Sequence, residues 1–172
     1  MGITSCLTGT CKPNGIYNYN DLVTVTTPLS VSADTDTLLA NDSAGVFTTV
    51  ALGAQGISTI YNPVSNSFDF SKLSLGDTVF IRVDFEIITQ TNNQSVNVFL
   101  DAAQGNAINY SIEWGNEVEY KTQRTHKYAV LSYITMLNKE TIENPAQLKI
   151  NTDGAASIKI NGWLCKVDRH GY

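Results

Sequence analysis

The sequence predicts an all-β protein built from two packed sheets. Apolar and polar residues alternate with a period of two in several short segments, so one face of each predicted strand points into a core. Turn-forming residues separate these segments at intervals of roughly 8 to 12 residues, a spacing typical of sandwiches and jelly rolls. Only 16% of the residues are charged, and the many Thr, Asn and Ser residues favour strands over helices. We therefore predict a single jelly-roll sandwich of about ten antiparallel strands with an N-terminal arm.

The chain divides into an arm, residues 1–20, and a jelly-roll domain, residues 21–172. The first 20 residues show no sustained period and are rich in Gly and Asn, which is typical of an arm. A domain of this length buries about two-thirds of its unfolded surface, so it needs neither a disulfide nor a metal to fold. No segment approaches the roughly 18 apolar residues of a membrane span. The first residues lack a secretory signal, so we expect synthesis in a cytoplasm without cleavage.

The first third of the domain is predicted to contain short strands. Residues 22–31 are rich in β-branched side chains, but Pro28 cannot donate to a ladder, so this segment is an edge strand or two short strands with a break. Turns rich in Asn, Asp and Gly separate the segments that follow. The next short strands are predicted at residues 37–40, 46–52, 57–61 and 68–70.

The clearest alternation lies near the centre of the chain. Between Asp77 and Ile88 the odd positions are apolar and the even positions are mostly charged, and a second alternating run covers residues 95–101. Asn92 and Asn93 tolerate the positive φ of a tight reversal. These features predict an antiparallel hairpin with one face in the core.

The C-terminal third is predicted to continue the sandwich. Residues 108–114 alternate, and residues 128–136 are apolar on both faces, which favours an inner strand. A short helix is predicted at residues 138–143, and the following Pro145 prevents a longer one. Two further strands, at residues 148–150 and 157–167, flank a turn at Asn151–Gly154 that predicts a second hairpin.

Residues that carry catalysis are scarce. The two histidines are His126, which has basic neighbours, and His170 near the C terminus, and neither has a recognisable nucleophile to activate. The sequence contains no phosphate loop, nucleophile elbow or metalloprotease helix. We therefore predict that the protein is not an enzyme and has no cofactor.

The cysteines leave alternatives open. Cys6 and Cys11 lie in the arm and Cys165 lies in the last predicted strand. A Cys-x4-Cys spacing is not a zinc signature, and a closed zinc site would need His170 as its fourth ligand. A Cys6–Cys11 disulfide is a second alternative, but we favour three inert thiols and predict no metal.

The charge of the chain limits its partners. Eleven Lys and Arg against sixteen Asp and Glu give a net charge of −5. Phosphate backbones and anionic membrane surfaces attract basic residues. We therefore expect neither nucleic acid nor a membrane among the partners.

Large side chains on polar faces are the candidates for an interface. Phe80 and Phe99 lie on the otherwise polar faces of the central strands, where the hairpin register would make them neighbours close to Arg82. The alternative interpretation is that a second sheet or a loop covers them. The predicted interface residues are Cys6, Cys11, Phe80, Arg82, Phe99, Tyr110, Trp114 and Tyr133.

Two stretches of the sequence carry a resemblance to a known family. Residues 28–45, which read PLSVSADTDTLLANDSAG, and residues 68–77, which read FDFSKLSLGD, precede the strand with the charged face. In these stretches the chain resembles capsid decoration (cement) proteins of tailed bacteriophages, whose jelly-roll fold is like that of tumour necrosis factor and C1q heads. The resemblance covers about residues 22–167 and leaves out the arm.

The resemblance implies a function. It implies a homotrimer on the outside of a phage capsid, with the major capsid protein as partner and the arm reaching onto the capsid or a neighbouring subunit. Such a protein is made in the host cytoplasm and becomes part of the virion. One alternative is a receptor- or glycan-binding head of a phage fibre or tail spike, for which Trp114 beside Asn116 is the only indication. Another is a glycan hydrolase that uses Asp84 and Glu86, which share a strand face.

Overall fold

The computed structural model describes residues 14–119 and 124–170, and from 116 to 119 it describes the backbone alone. These residues form short strands, long strands and two short helices. In chain order the elements are β1 (Gly15–Asn20), α1 (Val23–Thr26), β2 (Leu29–Val31), β3 (Thr37–Leu38), β4 (Thr49–Leu52), β5 (Tyr61–Asn62), β6 (Ser67–Phe68), β7 (Thr78–Thr89), β8 (Gln94–Ala102), β9 (Tyr110–Glu119), β10 (Thr125–Thr135), α2 (Lys139–Glu143), β11 (Gln147–Thr152) and β12 (Ala156–Asp168).

The strands form two antiparallel sheets that enclose the core. Sheet A has the order β10-β7-β12-β1-β4, and β2 pairs with the first part of β12 beyond β1. Sheet B has the order β3-β11-β8-β9. A small β5–β6 ladder is bridged to Ala146, just before β11. This arrangement confirms the predicted all-β jelly-roll sandwich.

The central alternation of β7 defines the core face of sheet A. All five odd-numbered apolar side chains of this strand are fully buried, as predicted. Burial of each such side chain contributes about 1.5–3 kcal/mol to folding. Sheet B contributes Val98, Leu100, Leu148 and Ile150 from the opposite side. The two sheets therefore pack against each other through one shared core.

The predicted central hairpin is wrong, because its two strands belong to different sheets. β7 pairs with β10 and β12, whereas β8 pairs with β9 and β11. Residues 90–93 thus cross the sandwich, and Asn93 adopts the expected positive φ of 57°. Both strands turn their apolar face to the same core from opposite sides, which satisfies the alternation as well as a hairpin would.

The second predicted hairpin is wrong for the same reason. β11 lies in sheet B and β12 lies in sheet A, so the Asn151–Gly154 turn also crosses the sandwich. Gln94 joins the two crossings: its side-chain oxygen accepts from the Gln90 amide, and its side-chain nitrogen donates to the Gly154 carbonyl. A Cβ on Gly154 would come within 2.7 Å of Thr91 Oγ1, so a larger residue would have to displace that side chain where the crossings touch.

Part of the predicted arm belongs to the sheet. Residues 15–20 form β1, where the Tyr17 and Tyr19 side chains are buried. The Tyr17 hydroxyl donates to the Ile57 carbonyl and accepts from the Ala54 amide. Two inward positions are too few for a recognisable period, and partners distant in sequence hold the strand. Residues 1–13 of the arm, with Cys6 and Cys11, lie outside the described residues.

Three other local predictions have different outcomes. Residues 22–31 form α1 and β2 instead of strands alone, because Asp21 accepts from the Thr24 amide and hydroxyl and so starts a helical turn. β10, predicted as an inner strand, lies at the edge of sheet A. The helix before Pro145 is confirmed as α2, with Asn138 Oδ1 accepting from the Thr141 amide as its N-cap.

Candidate interaction surface

The outer face of sheet A carries a row of exposed apolar side chains. The strand register places Tyr133, Phe80, Lys166, Ile16 and Leu52 side by side across five strands. Leu131 and Leu164 flank Arg82 in the next row. We call the apolar members of these rows the sheet A stripe: Ile16, Leu52, Phe80, Leu131, Tyr133 and Leu164.

The stripe is open to solvent and has a defined shape. Leu131 is 66% exposed and Tyr133 is 61% exposed. The Phe80 and Tyr133 rings contact at a centroid distance of 5.9 Å, and Lys166 Nζ lies 5.5 Å from the Phe80 centroid. The stripe also contains a groove of about 310 Å³, which is lined by Phe80, Arg82, Leu131, Leu164 and Lys166. The stripe therefore presents an apolar floor with cations at its border.

The other half of the same face is charged. Arg82 Nη2 lies 2.7 Å from Asp84 Oδ1, and this carboxylate raises the pKa of the guanidinium by accepting its hydrogen bonds. Glu86 lies between Lys127 and Lys159, at 3.4 and 3.8 Å. Asp84 and Glu86, the alternative hydrolase pair, are therefore both engaged in ion pairs on an open sheet face.

The structure separates the predicted interface residues into two groups. Phe80, Arg82 and Tyr133 meet on the outer face of sheet A. Phe99 does not neighbour Phe80, because β8 lies in sheet B, where Phe99 is only 7% exposed and pairs with Glu113 and Lys149. The predicted proximity of the two rings is wrong for the same reason as the hairpin.

Tyr110 and Trp114 lie on β9 in sheet B, whereas the stripe belongs to sheet A. The Tyr110 hydroxyl is 2.8 Å from Thr141 Oγ1 in α2. Trp114 is half-buried against the core at a β-bulge, where Val98 pairs with Gly115 and Phe99 pairs with Glu113. The Trp114 ring is thus used in packing, and no side-chain position of Asn116 is described beside it.

Leu131 and Leu164 were missed as surface residues. Apolar residues on both faces of β10 resemble an inner strand, and Leu164 stands between the buried Trp163 and Cys165. The sequence did contain a signal for Leu131 and Leu164. Each is an apolar residue at an alternate position of its strand, on a face that also carries a charged residue of that strand, and charged side chains mark the outward face.

The described residues include one of the three cysteines of the chain. Cys165 is buried in β12, and burial raises the pKa of its thiol. Among residues 14–115 and 124–170, whose side chains the structure describes, no three His, Cys, Asp or Glu side chains cluster as metal ligands would. The same residues include no helix with the length and apolar character to cross a membrane.

The fold is shared with viral structural proteins. No protein-family model matches the sequence, and the comparison with curated proteins found no match. A chain from T=1 particles derived from infectious bursal virus matches with a TM-score of 0.50 and 8% identity, over 98% of this chain and 35% of that chain. The VP2 subviral particle of infectious bursal disease virus matches with a TM-score of 0.50 and 10% identity, over 98% and 36%.

These likenesses show the fold alone. The chain spans about a third of the length of the virus chains that it matches. The vertex protein P5 of PRD1 matches over its whole length, with 12% identity over 94% of this chain, but its TM-score of 0.38 is too low to support an argument. The jelly-roll architecture is therefore established, and the role of the chain rests on its surfaces.

Proposed function

We propose that the protein is a non-enzymatic structural component of a virion: a homotrimer on the outside of a phage capsid that stabilises the shell by bridging capsid subunits. The observation that carries this proposal is the sheet A stripe. Contiguous exposed apolar side chains on a rigid sheet mark an association surface, since leaving them in water is unfavourable. The fold that the chain shares with capsid proteins supports a place in a virion.

Association through the stripe fits a bridging role. A trimer engages several shell subunits at once, so weak individual contacts sum to firm attachment. Bridging needs a second surface, and the loop before β4 offers one, since Val46 is 91% exposed and Phe47 is 73% exposed. We propose that this loop, together with the arm, contacts the major capsid protein. The net charge of −5 supports a location away from nucleic acid.

The first test is the oligomeric state in solution. We expect sedimentation equilibrium to give three times the 18.8 kDa of one chain, and Leu131→Glu to shift the protein to monomers because it places a charge in the stripe. Leu137→Glu is the matched control, since Leu137 is 79% exposed just after β10 and outside the stripe. A wild-type monomer would refute the trimer.

The second test is attachment to a shell. We expect the wild-type protein to bind empty capsids of its phage and to reduce their breakage, with Phe47→Ser weakening attachment while the trimer persists. Binding to host cells without binding to capsids would favour the receptor- or glycan-binding head instead. Loss of capsid binding in Leu131→Glu but not in Leu137→Glu would show that attachment depends on the trimer.

A further inference from the structure

The outer face of sheet B contains a pocket whose chemistry differs from that of the stripe. Its floor is the accessible strip of Phe99 in β8, and its volume is about 240 Å³. The pocket lies where the bulge in β9 sets Glu113 opposite Phe99. We call it the sheet B pocket, and it is lined by Asp36, Asn97, Phe99, Ser111, Glu113 and Asn151.

Hydrogen-bond acceptors predominate in this pocket. Asn151 Nδ2 donates to Asp36 Oδ1 at 2.7 Å, which leaves the second Asp36 oxygen and the Asn151 amide oxygen available. Asn97 Oδ1 is buried from solvent and has no hydrogen-bond partner among the described residues. The available carboxylate and amide oxygens of Asp36 and Asn151 therefore favour a ligand that donates hydrogen bonds.

The pocket also carries uncompensated negative charge. Lys149 lies directly opposite Phe99 in the sheet, but its Nζ forms an ion pair with Asp101 at 2.5 Å. Within the described part of the chain, no Lys, Arg or His forms an ion pair with Asp36 or Glu113. Two carboxylates that flank an apolar floor favour a cation over a neutral ligand.

We propose that the sheet B pocket binds an arginine side chain presented by a partner protein. A guanidinium offers five N–H donors and no acceptor, which complements a pocket of surplus acceptors, and its plane stacks on an aromatic surface. A lysine ammonium has three donors and no plane to stack. A sugar has hydroxyls that must also accept, and this pocket provides few donors. The proposal does not depend on the virion role.

The test is an NMR titration of the ¹⁵N-labelled full chain. The probe is N-acetyl-L-arginine methylamide, and its matched neutral analogue is N-acetyl-L-citrulline methylamide, which has nearly the same shape without the charge. We expect saturable shifts at the amides of Asn97, Phe99 and Asn151 with the arginine probe, and at least fivefold weaker binding of the citrulline probe.

Variants make the result specific to the pocket. Asp36 and Glu113 are exposed, so the Asp36→Asn and Glu113→Gln variants should both fold. Each variant is expected to bind the arginine probe at least threefold more weakly. Glu143→Gln, an exposed residue of α2 outside the pocket, should leave binding unchanged. Equal binding of citrulline, saturable binding of a hexose instead, or no saturation up to about 50 mM, which is weaker than the millimolar range, would overturn the proposal.

Discussion

The outer face of sheet A carries apolar side chains where the outer face of sheet B carries hydrogen-bond acceptors. At the centre of sheet A, Phe80 lies under Lys166 beside an open groove. At the centre of sheet B, Phe99 is nearly covered, and carboxylates and amides surround it. Each ring stands at an outward position of a strand whose alternate residues form the same core.

The difference shows where the function of such a sandwich is encoded. Inward positions of both sheets are constrained by shared packing, and a change there affects both faces. Outward positions are free of that constraint, so one sheet is able to acquire an association surface while the other acquires a polar pocket. The largest expected effects therefore come from the core, and the smallest from the ion pairs at the two surfaces.

Phe85→Ala should have the largest effect. Phe85 is fully buried between the sheets and stacks on Tyr128 at a centroid distance of 5.1 Å. Truncation of a buried Phe leaves a cavity, so we expect the free energy of unfolding to fall by about 3–5 kcal/mol in urea denaturation. Phe80→Ala, on the outer face of the same strand, is the matched control: it should cost about 1 kcal/mol but weaken self-association. Similar losses of stability would contradict the distinction between core and surface.

Alkaline pH should weaken the core through its buried tyrosines. Burial raises the pKa of Tyr61 to about 12, although its hydrogen bond with Asn41 opposes the shift. An unfolded chain has a tyrosine pKa of about 10, so the unfolded state loses this proton first. The stabilising contribution is fully present below pH 10 and is lost as the pH rises toward 12.

Denaturation at a series of pH values measures this loss, and phenolate absorbance reports the ionisation itself. Tyr61→Phe should reduce the slope of stability between pH 10 and 12. Tyr17 and Tyr19, whose pKa values burial also raises, should retain the remainder. A slope unchanged by Tyr61→Phe would show that Tyr61 is not responsible.

The sequence predicted which faces of the central strands β7 and β8 are buried, but it did not predict which sheet a strand joins. The alternation in β7 predicted each of its buried apolar residues, because a period of two follows from the strand backbone. The same alternation does not state which sheet a strand joins, so two crossings of the sandwich looked like hairpins. Asn93 and Gly154 favour a reversal in either case, and only contacts distant in sequence, such as Gln94 with Gly154, decide between them.

The candidate sites show a similar limit. Phe80, Arg82 and Tyr133 were predicted as interface residues, and the structure brings them together. Leu131 and Leu164 were not predicted, because an outward apolar residue beside inward ones resembles a core strand. The sheet B pocket draws on β3, β8, β9 and β11 and their adjoining loops, and no local pattern indicates that these segments converge.

Substitutions in the ion pairs of the two outer faces should have the smallest effects on the free energy of unfolding, and they compare the two faces most directly. The Arg82–Asp84 pair on sheet A has side chains 50% and 33% exposed, whereas the Lys149–Asp101 pair on sheet B has side chains 22% and 13% exposed. Water and salt screen an exposed pair, so we expect no measurable change in stability for Asp84→Asn. Asp101→Asn should lower the free energy of unfolding by about 1 kcal/mol, because Lys149 loses its partner in a less solvated setting.

Double-mutant cycles with Arg82→Gln and Lys149→Gln isolate the two coupling energies. Measured at low and high salt, the coupling on sheet B should persist while that on sheet A stays at zero. Equal couplings would mean that burial does not distinguish the faces.

Loss of the Lys149–Asp101 pair should also change the arginine titration, since a Lys149 released by Asp101→Asn is then free to turn toward the pocket and compete with the probe. Binding of the arginine probe should therefore weaken in Asp101→Asn and recover in the double variant with Lys149→Gln. That result would show that the released Lys149 competes with the probe for the pocket.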